Sequence, residues 1–248
     1  MHGILLLSDI HAGAHDVNSL TMPTRAKIFL RGLEQALSGE WPEHWALVLG
    51  GDLVEGENIY PRQSWDVEDD VNRHVWLAVD LIEVVLDRLL ERSTVSLYAV
   101  EGNHGRNSKH SYGNWDRMVA EIVVDHYENR LNHAVIAERR SPVQFQAGGL
   151  TWLAWHGDGI RMYMNIPFYG IWRRVLAWSQ TMEFDGVLLG HFHSLHYYRA
   201  GAKHVFLNGA WHESQVYGFE KGLVPSLDQW CILVEDGRIL RMCPLPTN

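Results

Sequence analysis

The chain is predicted to be an α/β protein forming one domain over residues 1–248, and three observations carry that prediction. Short apolar runs of strand length alternate with longer stretches of helical periodicity, the pattern of a layered α/β fold. The length suits one large domain, with no internal repeat, low-complexity tract or linker-like run to divide it. The polar residues able to do chemistry fall directly after the apolar runs, where open α/β sheets gather their ligands.

Taken in order, a strand at 4–7 opens the chain and leads into Ser8-Asp9-Ile10-His11. A helix is expected from near Pro23, a residue suited to a first turn, to a stop before Gly39, with Ala26, Leu30, Leu33 and Leu37 along one face. A strand at 46–49 runs into Gly50-Gly51-Asp52. The next helix is longer, with Val71, Val75, Ala78, Ile82, Val85 and Leu89 at helical spacing. Glu68, Asp69 and Asp70 are expected in its first turn and Arg88 and Arg92 in its last, as the helix dipole prefers. A strand at 95–100 precedes Gly102-Asn103-His104, and helices are expected at 115–126 and about 168–179. Strands at 150–155, 187–189, 205–207 and 230–234 make the later part of the chain strand-rich, which suggests a second sheet packed on the first.

Composition narrows the function. The net charge of −9 and the lack of a basic stripe argue against tight, non-specific binding of long duplex DNA, which is driven by neutralising phosphates. Bound cations would still let an acidic chain attract a phosphate locally. No apolar stretch approaches the ~18–20 residues that cross a bilayer, and the N-terminus has neither the basic flank nor the apolar length of a signal peptide. Cys231 and Cys243 form neither a disulfide framework nor a zinc motif and are expected to be reduced core residues of a cytoplasmic protein.

The strand-end residues are each ambiguous alone. Asp9 and His11, two apart on an extended segment, can reach one ion, but a solvated Asp and a surface His explain them equally well. Gly50-Gly51-Asp52 taken by itself is an ordinary tight turn. Asn103 offers a neutral oxygen and His104 an acid–base group, with a plain loop as the alternative. His156 ends an apolar strand, where a histidine is more often structural, and His191-Phe192-His193 repeats the two-residue spacing. Four imidazoles, two carboxylates and an amide oxygen suit Mn²⁺, Fe²⁺ or Zn²⁺, and two ions roughly 3.5–4 Å apart hold a hydroxide nucleophile and clamp a phosphoryl group.

Their order along the chain is far less ambiguous. Asp-x-His, Gly-Asp, Gly-Asn-His, a strand-end His and Gly-His-x-His resemble the motif series of the calcineurin-like metallophosphoesterases, from Asp9 to His193. The resemblance implies a four-layer α/β/β/α sandwich with two divalent metals, Mn²⁺ favoured, at the rim of the sheets. It places Asp9, His11, Asp52 and His193 on the first metal and makes Asp52 a bridge to a second, completed by Asn103, His156 and His191. It gives His104 the role of general acid for the leaving oxygen, or of stabilising the developing charge, while a hydroxide held between the metals attacks phosphorus. It implies a phosphate-ester substrate: a phosphodiesterase or nuclease acting on short or single-stranded nucleic acid or a nucleotide, with a phosphomonoesterase or phosphoprotein phosphatase as the rival and a non-catalytic scaffold as a further alternative.

One position departs from the pattern. An acidic residue is usual straight after Gly-Asn-His, and here Gly105 stands there, followed by Arg106. The absence leaves open what orients His104; another carboxylate is one answer. Arg106 is a candidate phosphate grip or a solvated loop residue. The variant, with Asn114-Trp115-Asp116 after it, looks like small phosphoesterases often found in phage genomes. Three loops, 55–66 with Tyr60, Arg62 and Trp65, 107–112 with Lys109 and His110, and 159–168 with Arg161 and Tyr163, are candidates for setting specificity. His212 is a candidate outer contact of the site.

Overall fold

Alternation of side chains along the strands sorts the apolar residues into three separate layers. In β1 (His2–Leu7), Leu5 and Leu7 face one way and Ile4 and Leu6 the other; β2 (His44–Leu49), β3 (Thr94–Ala99) and β10 (Asp228–Glu235) alternate in the same way. The first set packs under Phe29 and Leu33 of α1 (Met22–Leu37), Val75 and Ile82 of α2 (Val71–Leu90) and Val119 of α3 (Trp115–His126). The second set meets Trp152 of β6 (Leu150–Trp155), Leu188 of β7 (Gly186–Leu189) and Phe206 of β9 (Lys203–Leu207). The opposite faces of those three strands carry Leu153, Val187, Leu189, Val205 and Leu207 against Ile171 and Val175 of α4 (Phe168–Trp178). Three apolar interfaces make four layers: helices, sheet, sheet, helix. Each fully buried Leu, Ile or Phe contributes about 1.5–3 kcal/mol over its exposed state.

The computed structural model describes residues 1–15, 22–61, 63–65, 67–108, 112–139, 141–164, 166–212 and 224–248. Its first sheet has the order β11-β10-β1-β2-β3-β4, with β1 to β4 parallel and β10 and β11 antiparallel; the second has the order β5-β6-β7-β9-β8, with β6, β7 and β9 parallel. Four strands were not anticipated from the sequence: β4 (His133–Ile136), β5 (Val143–Ala147), β8 (His196–Ala200) and β11 (Arg238–Pro246). All four are sheet edges; β5 and β11 alternate between buried and solvent-facing side chains, and β4 and β8 are short and mostly half-exposed. The strand at 230–234 does not join the second sheet; as part of β10 it pairs with β1 in the first.

Two smaller corrections concern α2. Its acidic residues precede the helix rather than filling its first turn, because Asp70 is the N-cap, accepting from the Asn72 and Arg73 amides. Arg88 lies in the last turn, and Arg92 lies beyond it. Cys231 and Cys243 are free and buried, facing each other across β10 and β11. Among the described residues no helix is long and apolar enough to cross a membrane. Arg62, Lys109 and His110 of the candidate specificity loops lie outside the described residues.

Candidate metal centre

Five of the strand-end residues singled out in the sequence leave their strands in left-handed backbone. Asp9, His11, Asp52, His191 and His193 have φ between 49° and 69°. For a residue with a Cβ this conformation costs roughly 1–2 kcal/mol, so a cluster of five must be held by its surroundings. The Asp9 and His11 amides donate to Gly51 O and Asp52 O, both at 3.0 Å. The Asp116 carboxylate, at the start of α3, accepts from Asp52 N, Leu53 N, Val54 N and Gly102 N at 2.8–3.2 Å, tying the loop after β2 to the loop after β3. Gly51 permits the close approach: a Cβ there would lie 2.7 Å from Gly102 N and 2.8 Å from His156 Nδ1.

On one side of the site, His156 Nδ1 donates to Gly50 O at 2.9 Å, which turns Nε2 inward. That nitrogen lies 3.0 Å from Asp52 Oδ2 and 3.1 Å from Asn103 Oδ1. The amide is held with its oxygen inward because Asn103 Nδ2 donates to Tyr60 Oη at 2.8 Å. One imidazole nitrogen therefore meets two oxygens at about 3 Å, a contact that needs a proton or a cation between them. His191 completes this side: ligand atoms of Asp52, His156 and His191 lie within 4.8 Å of one another.

On the other side, His11 Nδ1 donates to Glu55 Oε2 at 2.5 Å, so its Nε2 faces inward, 3.1 Å from His193 Nε2 and 3.9 Å from Asp52 Oδ2. His193 Nε2 is in turn 3.3 Å from Asp9 Oδ1. Asp9 is anchored by Ser8 Oγ on Oδ2 at 2.5 Å and by the His191 amide on Oδ1 at 2.8 Å. Asp52 thus puts one oxygen between two sets of imidazoles, while its Oδ1 accepts the His104 amide at 2.7 Å. These nitrogen and oxygen donors, with no thiolate, fit borderline divalent cations.

Buried charge shapes every group here. Burial works against the Asp52 carboxylate, but His156 and His104 hold it well below the usual carboxylate range. Burial likewise lowers His104, and the Asp52 and Glu55 carboxylates overcome it, raising the imidazole to about 9. Burial and the neighbouring His156 push His191 down to about 4. Burial and the Asp52 charge raise Asp116 to about 6.

The structure brings together all seven expected ligands and His104. Arg106 lies nearby, with Nη2 donating to Asp158 Oδ2 at 2.5 Å, two residues beyond His156. Sequence reasoning missed Asp116, whose only local signal was the Asn114 cap before a helix, and the bond from Tyr60 to Asn103. His212 is closer than an outer contact: its ring is 4.6 Å from His11 and 5.8 Å from His193, and its buried Nε2 has no hydrogen-bond partner among the described residues. The backbone bond from Trp211 N to Asp9 O at 3.0 Å places it there.

No known protein-family profile matches the sequence, and no curated protein does. Solved structures do. An archaeal phosphodiesterase is 15% identical, with 98% of this chain and 99% of that one covered and a TM-score of 0.50. A predicted phosphoesterase from Streptococcus pneumoniae TIGR4 is 12% identical over 99% and 89%, with a TM-score of 0.46. Wild-type Vps29 complexed with zinc from Entamoeba histolytica is 11% identical over 99% of both chains, with a TM-score of 0.44. At such identities the likeness concerns the fold, and of these three the archaeal structure alone reaches a TM-score of 0.50. The fold is a four-layer α/β/β/α sandwich like that of the archaeal phosphodiesterase, the architecture that the order of the motifs implied.

Proposed function

We propose that the chain is a phosphoesterase dependent on two divalent cations, Mn²⁺ foremost, and that it cleaves phosphodiesters of nucleic acids or nucleotides. The observation that carries the reading is the place of His156 Nε2, 3.0 Å from Asp52 Oδ2 and 3.1 Å from Asn103 Oδ1, with all three side chains oriented by other hydrogen bonds. Asn103, His156 and His191 hold one cation; Asp9, His11 and His193 hold the other; Asp52 serves both. When bound, such cations lower the pKa of water and neutralise charge on phosphoryl oxygens. His104 gives its proton to the leaving oxygen.

The preference for diesters rests on Tyr60 at the site and on exposed aromatic side chains in the segment that follows His156. Tyr60 is exposed beside His104, with ring centroids 4.8 Å apart. The segment after His156 carries exposed Tyr163, Phe168 and Tyr169. Stacking of a base on such a ring is worth about 1–3 kcal/mol.

Mn²⁺-dependent hydrolysis of bis-p-nitrophenyl phosphate beside p-nitrophenyl phosphate tests both parts, with Asp52→Asn as control. Faster diester hydrolysis, lost in the variant, is expected. Faster monoester hydrolysis would move the assignment to a phosphomonoesterase. Inactivity on both, without Mn²⁺ binding by calorimetry, would leave a non-catalytic scaffold.

A further inference from the structure

The chain lacks the acidic residue expected after Gly-Asn-His, and its structure has no room for one. A Cβ on Gly105 would lie 2.4 Å from Asn114 Oδ1 and 2.8 Å from Asp116 Cγ and Oδ1. Neither neighbour is free to yield. Asn114 caps α3, accepting from Asp116 N at 2.9 Å and donating to Gly102 O at 2.9 Å. Asp116 holds four amides. A carboxylate at 105 would also face the buried Asp116 carboxylate at close range.

The missing acid is supplied from the other side of the imidazole. Glu55, three residues beyond Asp52, is 8% exposed and uses its two oxygens on two different histidines: Oε1 is 3.0 Å from His104 Nδ1 and Oε2 is 2.5 Å from His11 Nδ1. The two rings meet edge to face, with centroids 4.6 Å apart. Glu55 is itself fixed. Its amide donates to Ala12 O at 3.0 Å, and Gln63 Nε2 donates to its carbonyl at 2.7 Å and to Oε1 at 3.1 Å. Gln63 is in turn anchored by the Ile59 and Tyr60 amides on Oε1.

We infer that Glu55 is the positioning residue for His104, and that the same carboxylate orients the metal ligand His11, so that one side chain aligns the proton donor with one half of the metal centre. The inference rests on the phosphoesterase reading for the role of His104. With both Nδ1–H groups committed to Glu55, His11 presents Nε2 to Asp9, Asp52 and His193, and His104 keeps Nε2 for the leaving oxygen. A cation shared by Glu55, His11 and His104 is the competing arrangement, and the distances oppose it. Two atoms each about 2.0–2.2 Å from one ion are ~2.8–3.1 Å apart at a right angle and ~3.4 Å apart in tetrahedral geometry, whereas Glu55 Oε2 and His11 Nδ1 are 2.5 Å apart, a hydrogen-bond separation.

Glu55→Gln tests the inference at nearly constant volume. Its amide can accept from one histidine only and offers N–H to the other, which forces one ring to change tautomer. Three readouts apply to wild type and variant, with thermal melting to confirm that both fold. Nitrogen-15 NMR of the imidazoles should show Nδ1-protonated His104 and His11 in the wild type and a changed tautomer of one of them in the variant. Calorimetry with Mn²⁺ should show about 10–100-fold weaker binding at one site and unchanged binding at the other, the usual effect of losing a ligand's outer partner. Hydrolysis of aryl diesters should show a loss at least ~10-fold larger for phenol than for nitrophenol leaving groups, since only the poorer one needs the proton. Unchanged tautomers with an unchanged leaving-group dependence would overturn the inference, as would Mn²⁺ binding that requires all three of Glu55, His11 and His104. Wild-type protein that binds Mn²⁺ but cleaves no ester would sink the phosphoesterase reading alone, because the NMR and binding measurements still decide what Glu55 orients.

Discussion

The two halves of the candidate metal centre are built by different means. Around His156 the ring orientation comes from the backbone: a carbonyl, Gly50 O, fixes it, the histidine is completely buried, and only Asn103 leans on a side chain, Tyr60. Around His11 it comes from side chains: Glu55 fixes one ring, His193 is partly exposed, and His212 enters from a distant loop. A carbonyl at a strand end moves only if the sheet moves, whereas a carboxylate on a loop can be removed by one substitution. The half around His156 should therefore tolerate changes in its surroundings that disable the half around His11.

Asp52, which belongs to both halves, bounds the comparison from above. Asp52→Asn should remove binding at both sites by calorimetry and cut diester hydrolysis by more than the ~100-fold that loss of an outer partner costs, while circular dichroism stays native. Residual binding at one site of normal affinity would show that the halves do not share this oxygen.

Asp116→Asn attacks the scaffold common to both halves. Whichever way the new amide turns, it presents an NH₂ to two amides that now donate to Asp116: Leu53 and Val54 on one oxygen, Asp52 and Gly102 on the other. Leaving two buried donors unpaired at about 1–3 kcal/mol each predicts a loss of ~2–6 kcal/mol in denaturant unfolding. A loss under 1 kcal/mol would mean that the loops are held by something else.

Smaller changes should separate the halves. His212→Ala removes an imidazole whose ring lies against His11 and His193 and whose Nε2 has no hydrogen-bond partner among the described residues. Calorimetry should show up to ~10-fold weaker Mn²⁺ binding, confined to the site of His11, matching one lost interaction of about 1 kcal/mol. Equal weakening at both sites would contradict the division. Tyr60→Phe removes the acceptor that orients Asn103 and should weaken only the site of His156, by a few-fold, the smallest effect of the four. No change at all would show that the amide needs no such partner.

Much of this molecule is legible in local patterns. A strand buried on both faces reads as a continuous apolar run, so β1, β2, β3, β6, β7, β9 and β10 stand out in the sequence, and so do the ligand types that follow them. The four edge strands do not, because their alternation is diluted by solvent-facing residues such as Gln144 and Gln146 in β5. Order and residue type along the chain therefore determined the layered fold and the seven candidate ligands. Only the tertiary structure decided which nitrogen each histidine presents, that Glu55 serves two rings 44 and 49 positions away, and that Asp116 gathers amides from two loops up to 64 positions distant. Periodicity reports what one element does with its own neighbours. A hydrogen bond between loops of different strands depends on where the sheets bring those loops together, which no local pattern records.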